Sequence, residues 1–98
     1  PYTTLFLSKV NDNWLSFPIE GYSLALDFKV EKGLFKLLDK LDEIVVKYEG
    51  RIYLTKDARV SKEVFEKGYS KIDVIRQYRK ENQMNVKFQS LQSKRVDI

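Results

Sequence analysis

The sequence predicts an α+β fold: a small antiparallel sheet covered on one face by a long helix, followed by short C-terminal helices. Three observations predict it. Residues 22–30 alternate apolar and polar side chains with the period of a strand, and residues 31–48 repeat apolar side chains with the period of a helix. From Ser61 onward, capping residues open short amphipathic segments. The length of 98 residues bounds the chain at one domain, which buries only about two thirds of the surface its unfolded form exposes.

The first element is a strand over residues 3–10, with Leu5, Leu7 and Lys9 on one face and Phe6, Ser8 and Val10 on the other. Asn11-Asp12-Asn13-Trp14 is turn-rich, and Pro18 with Gly21 punctuates the approach to the next strand. There Tyr22, Leu24, Leu26, Phe28 and Val30 share one side, and Ser23, Ala25, Asp27 and Lys29 the other. One side wants a core; the other faces water or a ligand. The helix over 31–48 carries Leu34, Leu38, Leu41 and Val45 as its stripe, widened by Phe35, Leu37 and Ile44. Glu43 and Lys47 are spaced for an i,i+4 ion pair, and Gly50 is placed to end the helix. Arg51 to Lys56 reads as a third strand. Ser61 is placed to cap a helix through Lys67, and Ser70 with Asp73 to cap another from Lys71 to about Glu81. The tail, residues 82–98, has too few apolar residues for a self-contained element and is expected to pack on a neighbour. These boundaries divide the chain into residues 1–59, strands and helix, and residues 60–98, a helical segment.

Composition excludes several chemistries. Without cysteine or histidine there is no disulfide, thiolate nucleophile, Cys/His zinc site or imidazole base. Six tyrosines, six phenylalanines and one tryptophan within 43% hydrophobic residues suit a globular core. The net charge of +4 invites a nucleic-acid reading, but the 18 basic residues are interleaved with 14 acids. No apolar run approaches the ~18 residues that would span a bilayer, and the expected location is cytoplasmic, with peripheral attachment to the inner membrane as an alternative. The start at Pro1-Tyr2, already inside a β-rich stretch, suggests a piece of a longer protein.

The segment Arg51-Ile52-Tyr53-Leu54-Thr55-Lys56-Asp57-Ala58-Arg59 concentrates the candidate chemistry. A strand that delivers a lysine at its carboxyl end would fix one positive charge against an anion. The alternative is that Lys56 merely pairs with Asp57 at a loop edge.

With Leu15-Ser16-Phe17-Pro18 and Leu24-Ala25-Leu26-Asp27-Phe28 before it, this segment resembles the carboxyl-terminal part of FAD-linked oxidoreductases of the vanillyl-alcohol oxidase superfamily. The similarity is to the decaprenylphosphoryl-ribose oxidase and aldonolactone oxidase branch, and it extends from about Leu5 to Arg95. The resemblance implies FAD as cofactor, bound mainly by an N-terminal FAD-binding domain, and oxidation of a sugar, sugar lactone or sugar alcohol by hydride transfer to flavin. It implies that residues 1–59 end a substrate or cap domain and that residues 60–98 dock on the FAD domain, with Phe88, Ser90 and Arg95 in the docking motif. Lys56 matches a lysine beside the flavin and substrate, and Tyr53 a tyrosine close by. An ammonium about 4 Å from a reduced flavin would stabilise it by up to about 4 kcal/mol at an effective dielectric of about 20.

Ser23 and Ala25 match pocket positions where relatives of the decaprenylphosphoryl-ribose branch have an asparagine and a cysteine; the departure bears on the substrate. Small residues on a half-exposed strand are the alternative there. Leu7, Lys9 and Asn11 match further pocket-facing positions, although relatives often have an apolar residue at Lys9 and a lysine at Asn11. With no glycine-rich pyrophosphate loop and no histidine for covalent flavin attachment, the chain alone is expected to be colourless and inactive. A small basic α+β nucleic-acid-binding or interaction module using Tyr22, Tyr53 and Phe28 is the alternative function. Against it, the strand pattern places Tyr22 and Phe28 with the leucines of the core, so no nucleic-acid partner is expected.

Overall fold

The computed structural model describes residues 2–98, with side chains described at Leu7 and from Lys9 onward. Two strands, β1 (Tyr2–Ser8) and β2 (Gly21–Asp27), pair antiparallel. Five helices follow: α1 (Leu34–Lys47), α2 (Lys62–Gly68), α3 (Ile72–Glu81), α4 (Met84–Lys87) and α5 (Leu91–Val96). A 3₁₀ turn, Leu54–Lys56, lies between α1 and α2. The class is α+β, with a minimal sheet and short helices at the carboxyl end.

The third strand expected over Arg51–Lys56 does not form. Residues 51–53 lie outside any regular element, with Tyr53 extended, and the carbonyls of the run meet side chains and turns instead of a ladder. The Tyr69 hydroxyl donates to the Ile52 carbonyl (2.8 Å), while Gln92 Nε2 (2.6 Å) and the Asp57 amide (3.2 Å) donate to the Leu54 carbonyl. Arg51 clamps the segment, donating from Nε to the Gly68 carbonyl and from Nη1 to the Ser16 carbonyl, each at 2.7 Å. An apolar run with β propensity thus becomes a core-lining connection, because these acceptors are already used.

That connection explains where the core sits. Val60, Phe65, Tyr69, Ile72 and Val96 are buried together, with Leu15, Ile52, Leu54, Val64 and Ile98 packed against them. Residues on both sides of Arg59 therefore share one core. The tail contributes directly: Val96 is fully buried, and α5 packs on α2.

Helix α1 turns Leu34 inward, with Leu38, Leu41 and Val45 half-buried, but leaves Phe35, Leu37 and Ile44 exposed. It packs on α2, and Arg59 ties it down by reaching Asp39 and Asp42, both at 2.8 Å. Among the described residues no helix packs extensively on the strand pair, and Tyr22, Leu24 and Leu26, expected beneath α1, are exposed. The expected faces of Leu5, Phe6 and Ser8 fall on side chains outside the described residues.

The helix ends follow their caps, with three corrections. Ser61 Oγ accepts from the Val64 amide and starts α2. Ser70 does not cap α3; that helix starts through a turn in which the Ile72 amide donates to the Tyr69 carbonyl. Helix α1 closes with paired bonds from Glu49 N–H to the Val46 carbonyl and from Gly50 N–H to the Val45 carbonyl. Glu49, at φ 55°, and not Gly50, takes the left-handed position. Gly50 is needed for closeness instead, since an added Cβ would lie 3.0 Å from Val45 Cγ1. The expected Glu43–Lys47 pair is absent from the ion pairs among the described residues; Lys47 Nζ lies 5.4 Å from the Tyr48 ring centroid.

Candidate functional site

The 3₁₀ turn carries both principal candidates. Tyr53 is its N-cap and Lys56 its last residue, joined by a bond from the Lys56 amide to the Tyr53 carbonyl at 3.3 Å. Tyr53 stands extended just before the turn, at φ −76° and ψ 103°, and Lys56 closes it. Tyr53 is 46% exposed and leans on Phe17, with ring centroids 5.0 Å apart. Lys56 is exposed and makes no ion pair or side-chain hydrogen bond with the described residues.

The alternative pairing with Asp57 is not formed. Asp57 has an 8% exposed side chain and other partners: Oδ2 accepts from Arg95 Nη2 at 2.5 Å, and Oδ1 from the amides of Arg59 (3.1 Å) and Val60 (2.9 Å). Gln92, on the same helix as Arg95, donates to the carbonyls of Leu54 and Asp57. Helix α5 therefore grips both ends of the turn while the ammonium stays free.

Nothing local in the sequence announces this grip. Gln92 and Arg95 lie 38 residues from their partners Leu54 and Asp57, and only the resemblance singled out Arg95, for docking. Arg51 is likewise a positioning residue. Besides its two carbonyl contacts, its guanidinium carbon lies 5.5 Å from the Tyr69 ring centroid.

The strand candidates separate by register. Leu7 lies opposite Tyr22, whereas Ser23 and Ala25 lie opposite Phe6 and Thr4. Cross-strand partners share a face and neighbours along a strand do not, so Leu7 belongs to the Tyr22 side and Ser23 with Ala25 to the other. Lys9 and Asn11 are exposed in the connection beyond β1, where Asn11 Oδ1 accepts from the Asn13 amide at 3.0 Å. Asn11 also borders a small cleft of about 160 Å³ with Arg51, Tyr69 and Lys71. A larger open groove of about 600 Å³ runs from Asp27 and Lys29 past Gly33 to Leu37, at the junction of β2 and α1. In the tail, the Phe88 side chain is exposed while its carbonyl accepts from Arg79, and Ser90 forms a reciprocal cap with Ser93.

No family model matches the chain. Over 59 residues it is 41% identical to decaprenylphosphoryl-beta-D-ribose oxidase of Mycolicibacterium smegmatis, an alignment covering 60% of this chain and 13% of that protein. Over 67 residues it is 42% identical to an uncharacterized protein in the mprA 5' region of Streptomyces coelicolor, covering 67% of this chain and 18% of the relative. The chain thus spans less than a fifth of the length of each. Over that part, it is related in sequence to an oxidase.

Proposed function

We propose that the chain is the C-terminal, substrate-side portion of an FAD-dependent oxidoreductase acting on a CH–OH group of a sugar, sugar lactone or sugar alcohol. The observation that carries this reading is the 41% identity to an oxidase over 59 residues. Lys56, unpaired among the described residues on a turn that α5 grips at both ends, supports it.

When bound, the flavin supplies the acceptor for the hydride leaving the substrate carbon. The chain's own residues fit one end of such a group, with an ammonium and a phenol on one turn, and offer no glycine-rich cradle for its pyrophosphate. The N-terminal FAD-binding domain of the same protein would hold the phosphates, with residues 60–98 docked against it and the whole in a cytoplasmic setting. Lys56 would set its positive charge against the negative charge of the reduced ring system, and Tyr53 would orient the substrate hydroxyl. Ser23 and Ala25 would leave room for the sugar on one face of β2, while Leu7, Lys9 and Asn11 would bound its approach. Asp57, Gln92 and Arg95 act through the turn by fixing its position.

The test is anaerobic mixing of the flavin-loaded full-length protein with candidate sugars, following bleaching of the flavin absorbance. The expected result is substrate-dependent bleaching that slows at least about tenfold in Lys56→Met, with unchanged circular dichroism. Equal bleaching rates in Lys56→Met and the parent would remove Lys56 from the chemistry. A full-length protein that binds no flavin would remove the reading altogether.

A further inference from the structure

The whole net charge of the chain lies in its second part. Residues 1–59 hold nine basic and nine acidic side chains, whereas residues 60–98 hold nine basic and five acidic ones. The excess gathers in a groove of about 440 Å³ where α3 faces α4 and α5, with Arg79, Lys80, Asn85 and Lys94 on its walls. The one acidic side chain lining it, Asp97, is engaged by Lys62 at 2.6 Å and Arg76 at 3.8 Å. Arg76 is itself held by Glu66 at 2.6 Å. Those charges answer one another.

The groove's other basic side chains keep donors with no acceptor among the described residues. Arg79 spends Nη2 on the carbonyls of Met84 (3.3 Å) and Phe88 (2.6 Å), which locks its guanidinium in place across the α3–α4 turn. Its Nη1 makes no hydrogen bond or ion pair with the described residues and is the donor left for the groove; its Nε, like that of Arg95 outside the groove, is buried and unpartnered. Lys80, Asn85 and Lys94 likewise have side-chain donors engaged by none of the described residues.

We infer that this groove binds a compact phosphate group, as the monoester or diphosphate of a small molecule. A fixed guanidinium with two flexible ammonium groups suits an anion with several charged oxygens. The volume falls within the range of small-molecule sites. No aromatic side chain lines it, so it lacks the stacking platform a nucleic-acid strand would use. Lys94 lies two positions from Gln92, about 200° around α5, so the groove is separate from the Tyr53–Lys56 turn. The inference does not rest on the oxidase reading.

The test follows backbone amide shifts of the chain on titration with inorganic phosphate and with pyrophosphate, at ionic strength held constant with sodium chloride. Saturable shifts at Lys80, Asn85 and Lys94 are expected, with pyrophosphate the tighter of the two. Lys80→Met with Lys94→Met should weaken pyrophosphate binding at least tenfold, while Lys71→Met, outside the groove, should leave it unchanged. Both groove lysines are exposed and unpaired, so the fold should survive. Co-sedimentation with vesicles containing phosphatidic acid, absent with phosphatidylcholine alone, would identify a lipid headgroup as the source of the phosphate; its absence alongside saturable pyrophosphate binding would identify a soluble ester. Linear, unsaturating shifts, or no loss in the double variant, would overturn the inference. So would a single-stranded oligonucleotide that bound more than tenfold tighter than pyrophosphate.

Discussion

At the scale of single residues, Tyr69 shows how one side chain replaces a strand partner. Its ring is buried beside Phe65, with centroids 4.9 Å apart, and its hydroxyl meets the Ile52 carbonyl that a sheet would otherwise have used. Burial pushes its pKa up to about 12. The unfolded chain releases this proton near pH 10, so the contribution is complete below that and is lost as pH rises towards 12. A difference of two units corresponds to about 2–3 kcal/mol. Tyr69→Phe leaves a buried carbonyl unmet and should cost about 1–3 kcal/mol at neutral pH. The gap between the parent and Tyr69→Phe, measured by urea unfolding at about pH 8 and about pH 11.5, should therefore shrink at the higher pH. An unchanged gap would show that the hydroxyl is already open to solvent in the folded state.

At the scale of elements, the clearest lesson is the difference between α5 and the expected third strand. Local signals found α1 and α2 because helical periodicity in the one and the Ser61 cap in the other are written within a dozen residues, while α3 forms where it was expected without the Ser70 cap that pointed to it. The run Ile52-Tyr53-Leu54 carries equal local evidence for a strand, yet its fate is set by Tyr69 and Gln92, far away in sequence. The same non-local grip makes a helix of the sparse tail, through Ser90 capping at one end and Val96 in the core at the other. Of the candidate site, the types Tyr53 and Lys56 were legible but their turn was not, and the register that separates Leu7 from Ser23 required the paired backbone. The Asp57–Arg95 bond makes the grip testable. Its carboxylate is nearly buried and also holds two amides, so Asp57→Ala should cost about 3 kcal/mol or more, and Arg95→Met less. Amide exchange should also rise across residues 91–97 in both variants. If it stays at parent levels, Gln92 and Val96 hold α5 without the ion pair.

For the whole molecule, surface is the telling quantity. The chain exposes 7935 Å², whereas a compact monomer of its mass would expose about 5,800 Å². Its radius of gyration is 14.5 Å, against about 13 Å for a compact domain of 100 residues. Much of the excess is apolar: Tyr22, Leu24 and Leu26 on β2, and Leu37, Ile44 and Tyr48 along α1, are all exposed. Two strands with an uncovered apolar face are marginally stable in water, whereas the cluster around Phe65 and Val96 is closed on itself. Stability should therefore grade along the chain. Hydrogen exchange on the 98-residue protein should find the β1–β2 amides protected least, by no more than about tenfold, and those of α2 and the first turns of α3 protected most. If β2 amides instead exchange as slowly as those around Phe65, opening only with global unfolding, the strand pair is part of the same cooperative unit. The exposed face would then be sustained by the chain itself.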